Sequence, residues 1–84
     1  MENYTILSDN VIMSEIKRLK NLGINIKSER LRKNISQEQL AEYTNISRNS
    51  ISLIETGKIN PTILKVIDIA QALNITIEDL IKGV

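Results

Sequence analysis

The chain has 84 residues, enough for one compact domain and too few for two. It contains no Cys and no His, which excludes disulfides and thiolate metal sites and removes the usual general base near neutral pH. Lys plus Arg (11) nearly balance Asp plus Glu (10), so global charge indicates no partner, and no apolar run approaches the roughly 18 residues that a membrane span needs. Met1-Glu2-Asn3 lacks the basic start of a secretory signal, and a cytoplasmic protein is expected.

Residues 1–10 have no clear period, and Asn3 to Leu7 read as either a short strand or a disordered arm. Ser8-Asp9-Asn10 offers cap residues, after which Ile12, Ile16 and Leu19 fall at helical spacing on one face. Gly23 is expected to interrupt that helix, and a second is expected from about Leu22 or Ile24 to Lys33, ended by a left-handed Asn34. Ser36-Gln37-Glu38-Gln39 spells a capping box for a helix over about 37–44, with Leu40 and Ala41 inward. Ser47 caps the next helix, 48–56, with Ile51 and Ile54 inward and Gly57 just past its end. Asn60-Pro61 reads as a cap followed by proline at the first helical position of a helix running to Leu73. That helix is expected to bury Ile63, Leu64, Ile67, Ala70 and Leu73, and Asn74 ends it. Thr76, with Asp79 three residues on, opens a last helix to about Lys82, closed by Gly83. The chain thus reads as all-α, with five or six short helices.

Charge is less balanced locally. From Lys17 to Lys33 the basic residues Lys17, Arg18, Lys20, Lys27, Arg30, Arg32 and Lys33 face Glu29 alone, a local charge of +6. From Val66 to Val84 the local charge is −2. A basic face on a small helical domain is either a solvated surface or the electrostatic footprint of a nucleic-acid binder. The two helices 37–44 and 48–56, joined by a tight turn with small Ala41 at the crossing, form a helix-turn-helix unit. Its second helix leaves Arg48, Asn49, Ser52 and Leu53 on the outer face.

Ser36-Gln37-Glu38-Gln39-Leu40-Ala41, then Ile46-Ser47-Arg48, then Ile51 through Lys58, then Pro61, closely resemble the XRE family, the DNA-binding domains of lambdoid-phage Cro and repressor type. Ala72 to Ile81 looks like that family's last two helices, so the resemblance runs from about Leu22 to Ile81. Glu15-Ile16-Lys17-Arg18 leading into Leu22-Gly23 also resembles the small controller regulators of restriction–modification systems. The resemblance implies a compact five-helix helix-turn-helix DNA-binding domain over 21–84, behind an N-terminal extension, 1–20, that is partly helical. It implies a sequence-specific transcriptional regulator with helix 48–56 in the major groove, double-stranded DNA as partner and no cofactor.

Residue by residue, the resemblance assigns Arg48 and Asn49 to base edges, with Ser52 and Leu53 one turn on. Gln37 stands where the family holds a phosphate, aided by the N-terminus of its helix. Lys27, Thr56 and Lys58 match further backbone-contacting positions, and Arg30 and Glu55 match an ion pair. Asn34 departs from the family's usual glycine, and Leu53 is apolar where relatives often carry a polar reader. Nothing in the sequence puts Lys17, Arg18 and Lys20 on the DNA side, and they read as solvated.

A single module makes few base contacts, so a homodimer on an approximately palindromic operator is expected. Ile77, Leu80, Ile81 and Val84 of the last helix are the expected interface, because so short a helix hides only one stripe in its own core. Ile12, Ile16 and Leu19 would cover or extend it. The rival reading is a protein-interaction module, such as an antitoxin that binds a partner protein. That role calls for an apolar face, whereas Arg48, Asn49 and Ser52 are polar. Catalysis is not expected: the serines have no His partner, and Ser36 and Ser47 serve as caps.

Overall fold

The computed structural model describes the backbone of residues 2–84 and the side chains from residue 10 onward. It contains five helices: α1 (Glu2–Arg32), α2 (Gln37–Thr44), α3 (Arg48–Glu55), α4 (Ile63–Ala72) and α5 (Ile77–Leu80). The described residues include no strand. The expected all-α, five-helix architecture is present.

Capping chemistry sets most of the boundaries. The Ser36 hydroxyl accepts from the Gln39 N–H at 3.0 Å, and the Gln39 carbonyl oxygen accepts from the Ser36 N–H at 2.8 Å. Ser47 accepts from Ser50 N–H, and Thr76 from Asp79 N–H, each at 3.1 Å. Asn34, Gly57 and Asn74 all have positive φ and end α1, α3 and α4. Each closes the same pair of reversed bonds. Ile35 N–H reaches the Arg30 carbonyl, Lys58 N–H that of Leu53, and Ile75 N–H that of Ala70, at 2.9–3.0 Å. Ile35 and Ile75, just past two of these ends, fold back against the core.

Two expectations near the N-terminus are corrected. Asn3 to Leu7 are neither strand nor arm but early turns of α1, and Gly23 does not break that helix. An internal glycine costs a helix only about 1 kcal/mol relative to alanine. Here a tertiary contact requires it: a Cβ on Gly23 would run into the backbone carbonyls of Glu55 and Ile54, the latter at 2.6 Å. The glycine marks the crossing of α1 with the end of α3. Arg32 is the last helical residue of α1, and the 31-residue helix gives the molecule its 48 Å long axis.

The start of α4 is also corrected. Its cap is Thr62, whose hydroxyl accepts from Lys65 N–H at 3.3 Å, so Pro61 precedes the cap instead of opening the helix. Proline biases Asn60 toward extended backbone, and the chain turns helical only after Thr62. The inward stripe is Val66, Ile69, Ala70 and Leu73. Ile63 and Leu64 lie in the first turn, ahead of that stripe, and are 63% and 67% exposed where burial was expected. Ile67 is half-buried.

The core joins Leu22 and Ile26 of α1, Leu40, Ile46, Ile51 and Ile54 of the helix-turn-helix unit, the α4 stripe, and Leu80. Four-residue α5 is held by α1, where Asn25 Nδ2 donates to the carbonyls of Leu80 at 2.8 Å and Lys82 at 2.9 Å. Asn21 Nδ2 adds a longer bond, 3.3 Å, to the Gly83 carbonyl. Leu80, expected on a dimer face, is fully buried in the core. Ile77 and Val84 pack half-buried against it, while Ile81 stays 42% exposed.

Candidate nucleic-acid interface

The α2–α3 turn is fixed from inside. Thr44 is buried; its hydroxyl donates to the Leu40 carbonyl at 2.7 Å and accepts from Ile46 N–H at 3.3 Å. Asn45 takes the left-handed conformation, and Ile46 drops into the core behind it. Ile51 and Ile54 then bury one face of α3. The opposite face presents Arg48 and Asn49 exposed, with Ser52 and Leu53 half-buried one turn on. Arg48 Nε stands 3.9 Å from Glu38 Oε1, a loose and exposed contact that leaves the guanidinium free to move.

The Arg30–Glu55 pair forms as expected and is buried, with the side chains 8% and 2% exposed. Arg30 Nε donates to Glu55 Oε2 at 2.6 Å and Nη2 to Oε1 at 3.0 Å, a two-pronged charge-assisted contact. Arg30 Nη1 donates to the Ile35 carbonyl at 2.9 Å. No sequence signal marks the fourth member: Gln37 Nε2 donates to Glu55 Oε1 at 3.1 Å. Glu55 therefore ties the last turn of α3 to α1 and to the first residue of α2.

Gln37 is half-buried; its amide has a second N–H beyond the one given to Glu55, and its backbone N–H lies at the open start of α2. Thr56 directs its hydroxyl to the Ser52 carbonyl at 2.8 Å. Lys27 and Lys58 are exposed. The fold thus brings Arg48, Asn49, Ser52 and Leu53 onto one helix face, with Gln37 held to the foot of that helix and Thr56 and Lys58 at its exit. The described residues contain no cluster of three or more side chains suited to hold a metal ion, and no helix among them is long and apolar enough to cross a membrane.

Comparison with known proteins agrees with this geometry. The helix-turn-helix family profile matches residues 26–80. The control protein C.SmaI of Serratia marcescens is 35% identical over 71 residues, which are 84% of this chain and 82% of that protein. The HTH-type transcriptional activator BcrR of Enterococcus faecalis is 41% identical over 64 residues, 74% of this chain but only 31% of BcrR's own length. Among solved structures, the restriction–modification controller protein C.AhdI of Aeromonas hydrophila superposes with a TM-score of 0.72 at 29% identity, over 74% of this chain and 94% of that one. This chain belongs to the XRE-type helix-turn-helix family of DNA-binding transcriptional regulators.

Proposed function

We propose that the protein is a sequence-specific regulator that reads an approximately palindromic operator as a homodimer, with α3 in the major groove. The observation that carries this reading is the outer face of α3. Arg48 and Asn49 stand exposed at the start of a helix whose far end is locked by a buried ion pair. Arginine pairs bidentately with guanine and asparagine with adenine, and Leu53 suits a thymine methyl. Lys27, Gln37, Thr56 and Lys58 take the phosphates, Gln37 with the added field of the α2 N-terminus.

Ile81, left exposed beside half-buried Ile77 and Val84, supports dimerisation. Leu80 backs that surface from within the core. Ile12 and Ile16 are further exposed apolar residues, on α1. Two-fold pairing would set the two α3 helices about 34 Å apart, one DNA turn. The similarity to the control protein C.SmaI and to the restriction–modification controller protein C.AhdI supports a role in controlling gene expression.

Selection of bound duplexes from a random pool at moderate salt tests the reading. The expected result is an enriched motif with two inverted half-sites one turn apart. A pool that shows no enrichment refutes sequence-specific recognition, and enrichment of a single half-site refutes the dimer.

A further inference from the structure

Lys17 and Lys20 read in sequence as solvated charges, but the fold gives Lys20 a specific neighbour. A Cβ built on Gly57 would lie 3.0 Å from the backbone N, the Cα and the Cγ of Lys20. Lys20 is therefore packed on the residue that joins Thr56 to Lys58. Lys27 lies seven residues further along the same face of α1, and Lys17 one turn before Lys20. All of these lysines are exposed, and none enters an ion pair among the described residues.

An acid three or four residues away on a helix would pair with a surface lysine. Lys17, Lys20 and Lys27 have none. Their neighbours at those spacings are Met13, Ser14, Ile16, Lys17, Lys20, Asn21, Gly23, Ile24, Arg30 and Leu31. The segment 56–60 opposite contributes no acid either. The acids of the described part of α1 fall on other flanks. Glu29 pairs with Arg32 at 2.8 Å, and Glu15 shares with Arg18 the groove that leads to Val84.

We propose that Lys20 and Lys17 are DNA phosphate contacts that extend the Lys27–Lys58 edge of the interface outward along α1, beyond the residues that the family profile matches. The row spans about 15 Å, ten residues at 1.5 Å each. It runs beside the exit of the reading helix and follows the sugar–phosphate strand that flanks each half-site. The inference rests on α3 being the groove-reading helix.

The test is a Lys17→Gln/Lys20→Gln double variant, which keeps the aliphatic stems that pack on Gly57. Its affinity for mixed-sequence duplex DNA and for the selected operator is measured between roughly 50 and 200 mM salt. The slope of log affinity against log salt should fall by about 1.8 per bound protomer, at about 0.9 for each phosphate left without its lysine. Affinity should drop equally for both duplexes, with helical content and melting temperature unchanged, and Lys17→Arg/Lys20→Arg should retain the wild-type slope. Arg18→Gln, on the Glu15 flank, should leave the slope unaltered. An unchanged slope in the double variant overturns the proposal, as does a drop about half as large in Arg18→Gln, one charge removed against two, which would make the effect one of net charge alone. Wild-type protein that binds neither duplex overturns instead the reading of α3 on which the proposal rests.

Discussion

Replacing Gly23 by alanine sets two effects of opposite sign against each other. On an isolated helix the change would stabilise by about 1 kcal/mol, because glycine is the poorer helix former. In this fold the new Cβ would stand 2.6 Å from the Ile54 carbonyl oxygen, well inside the 3.4 Å where ordinary contact begins. The obstructing atoms are backbone, so no rotamer change relieves the clash. The α3 backbone is itself held in place by the Arg30–Glu55 contacts at 2.6 and 3.0 Å. Overpacking of this kind costs about 1–3 kcal/mol and sometimes more. With an immovable neighbour the upper end applies, leaving a net loss of about 2 kcal/mol after the propensity gain. At about 4–8 °C per kcal/mol for a domain of this size, the melting temperature should fall by roughly 8–16 °C. Thermal unfolding followed by far-ultraviolet circular dichroism measures this directly. A melting temperature that stays level or rises would show that α1 and α3 do not meet as closely as described.

Further variants bear on the ion pair, the reading face and the dimer. Glu55→Ala leaves Arg30 buried without its partner and should cost on the order of 3–5 kcal/mol in urea unfolding. An Arg30→Met/Glu55→Met double variant should be less destabilised than the sum of its single variants; zero coupling would show that the two side chains do not act together. Arg48→Ala and Asn49→Ala should each relax selectivity at one base-pair position per half-site by about 1–3 kcal/mol, whereas Lys58→Ala should weaken binding to all sequences. Equal weakening on operator and random DNA for Arg48→Ala would remove its assigned role. Ile81→Asp should shift the protein toward monomer in sedimentation without unfolding it, and an unshifted dimer would move the interface away from α5.

Local chemistry made much of this fold legible. Ser36, Ser47 and Thr76 cap the helices that they open, and Asn34, Gly57 and Asn74 turn left-handed at the ends of theirs, because such signals act within a few residues. The features that were not legible depend on parts of the chain far away in sequence. Gly23 reads locally as an interruption, and only the carbonyls of Ile54 and Glu55 reveal why the helix accepts it. Asn25 looks like an ordinary surface amide until α5 arrives with the open carbonyls of Leu80 and Lys82. The same applies to Leu80: a last-helix stripe suggests an outward face, and the depth of the core beneath it becomes visible only in three dimensions. At the candidate interface, the polar face of α3 followed from helical spacing, and the Arg30–Glu55 pair from resemblance. The Gln37–Glu55 bond had no sequence signature, since glutamine after a cap is common for reasons of capping alone.

The Glu55 carboxylate, shared between Arg30 and Gln37, has a mechanical consequence. It makes α3 and the start of α2 one rigid template of fixed spacing, like two teeth cut in the same key. On the docking proposed above, neither tooth can shift to suit an irregular duplex, so the DNA must adjust. Base steps differ in how readily they bend, twist or narrow a groove. A stiff template therefore penalises sequences at base pairs that no side chain reaches. Softening it, for example with Gln37→Ala, should flatten selectivity at those untouched positions.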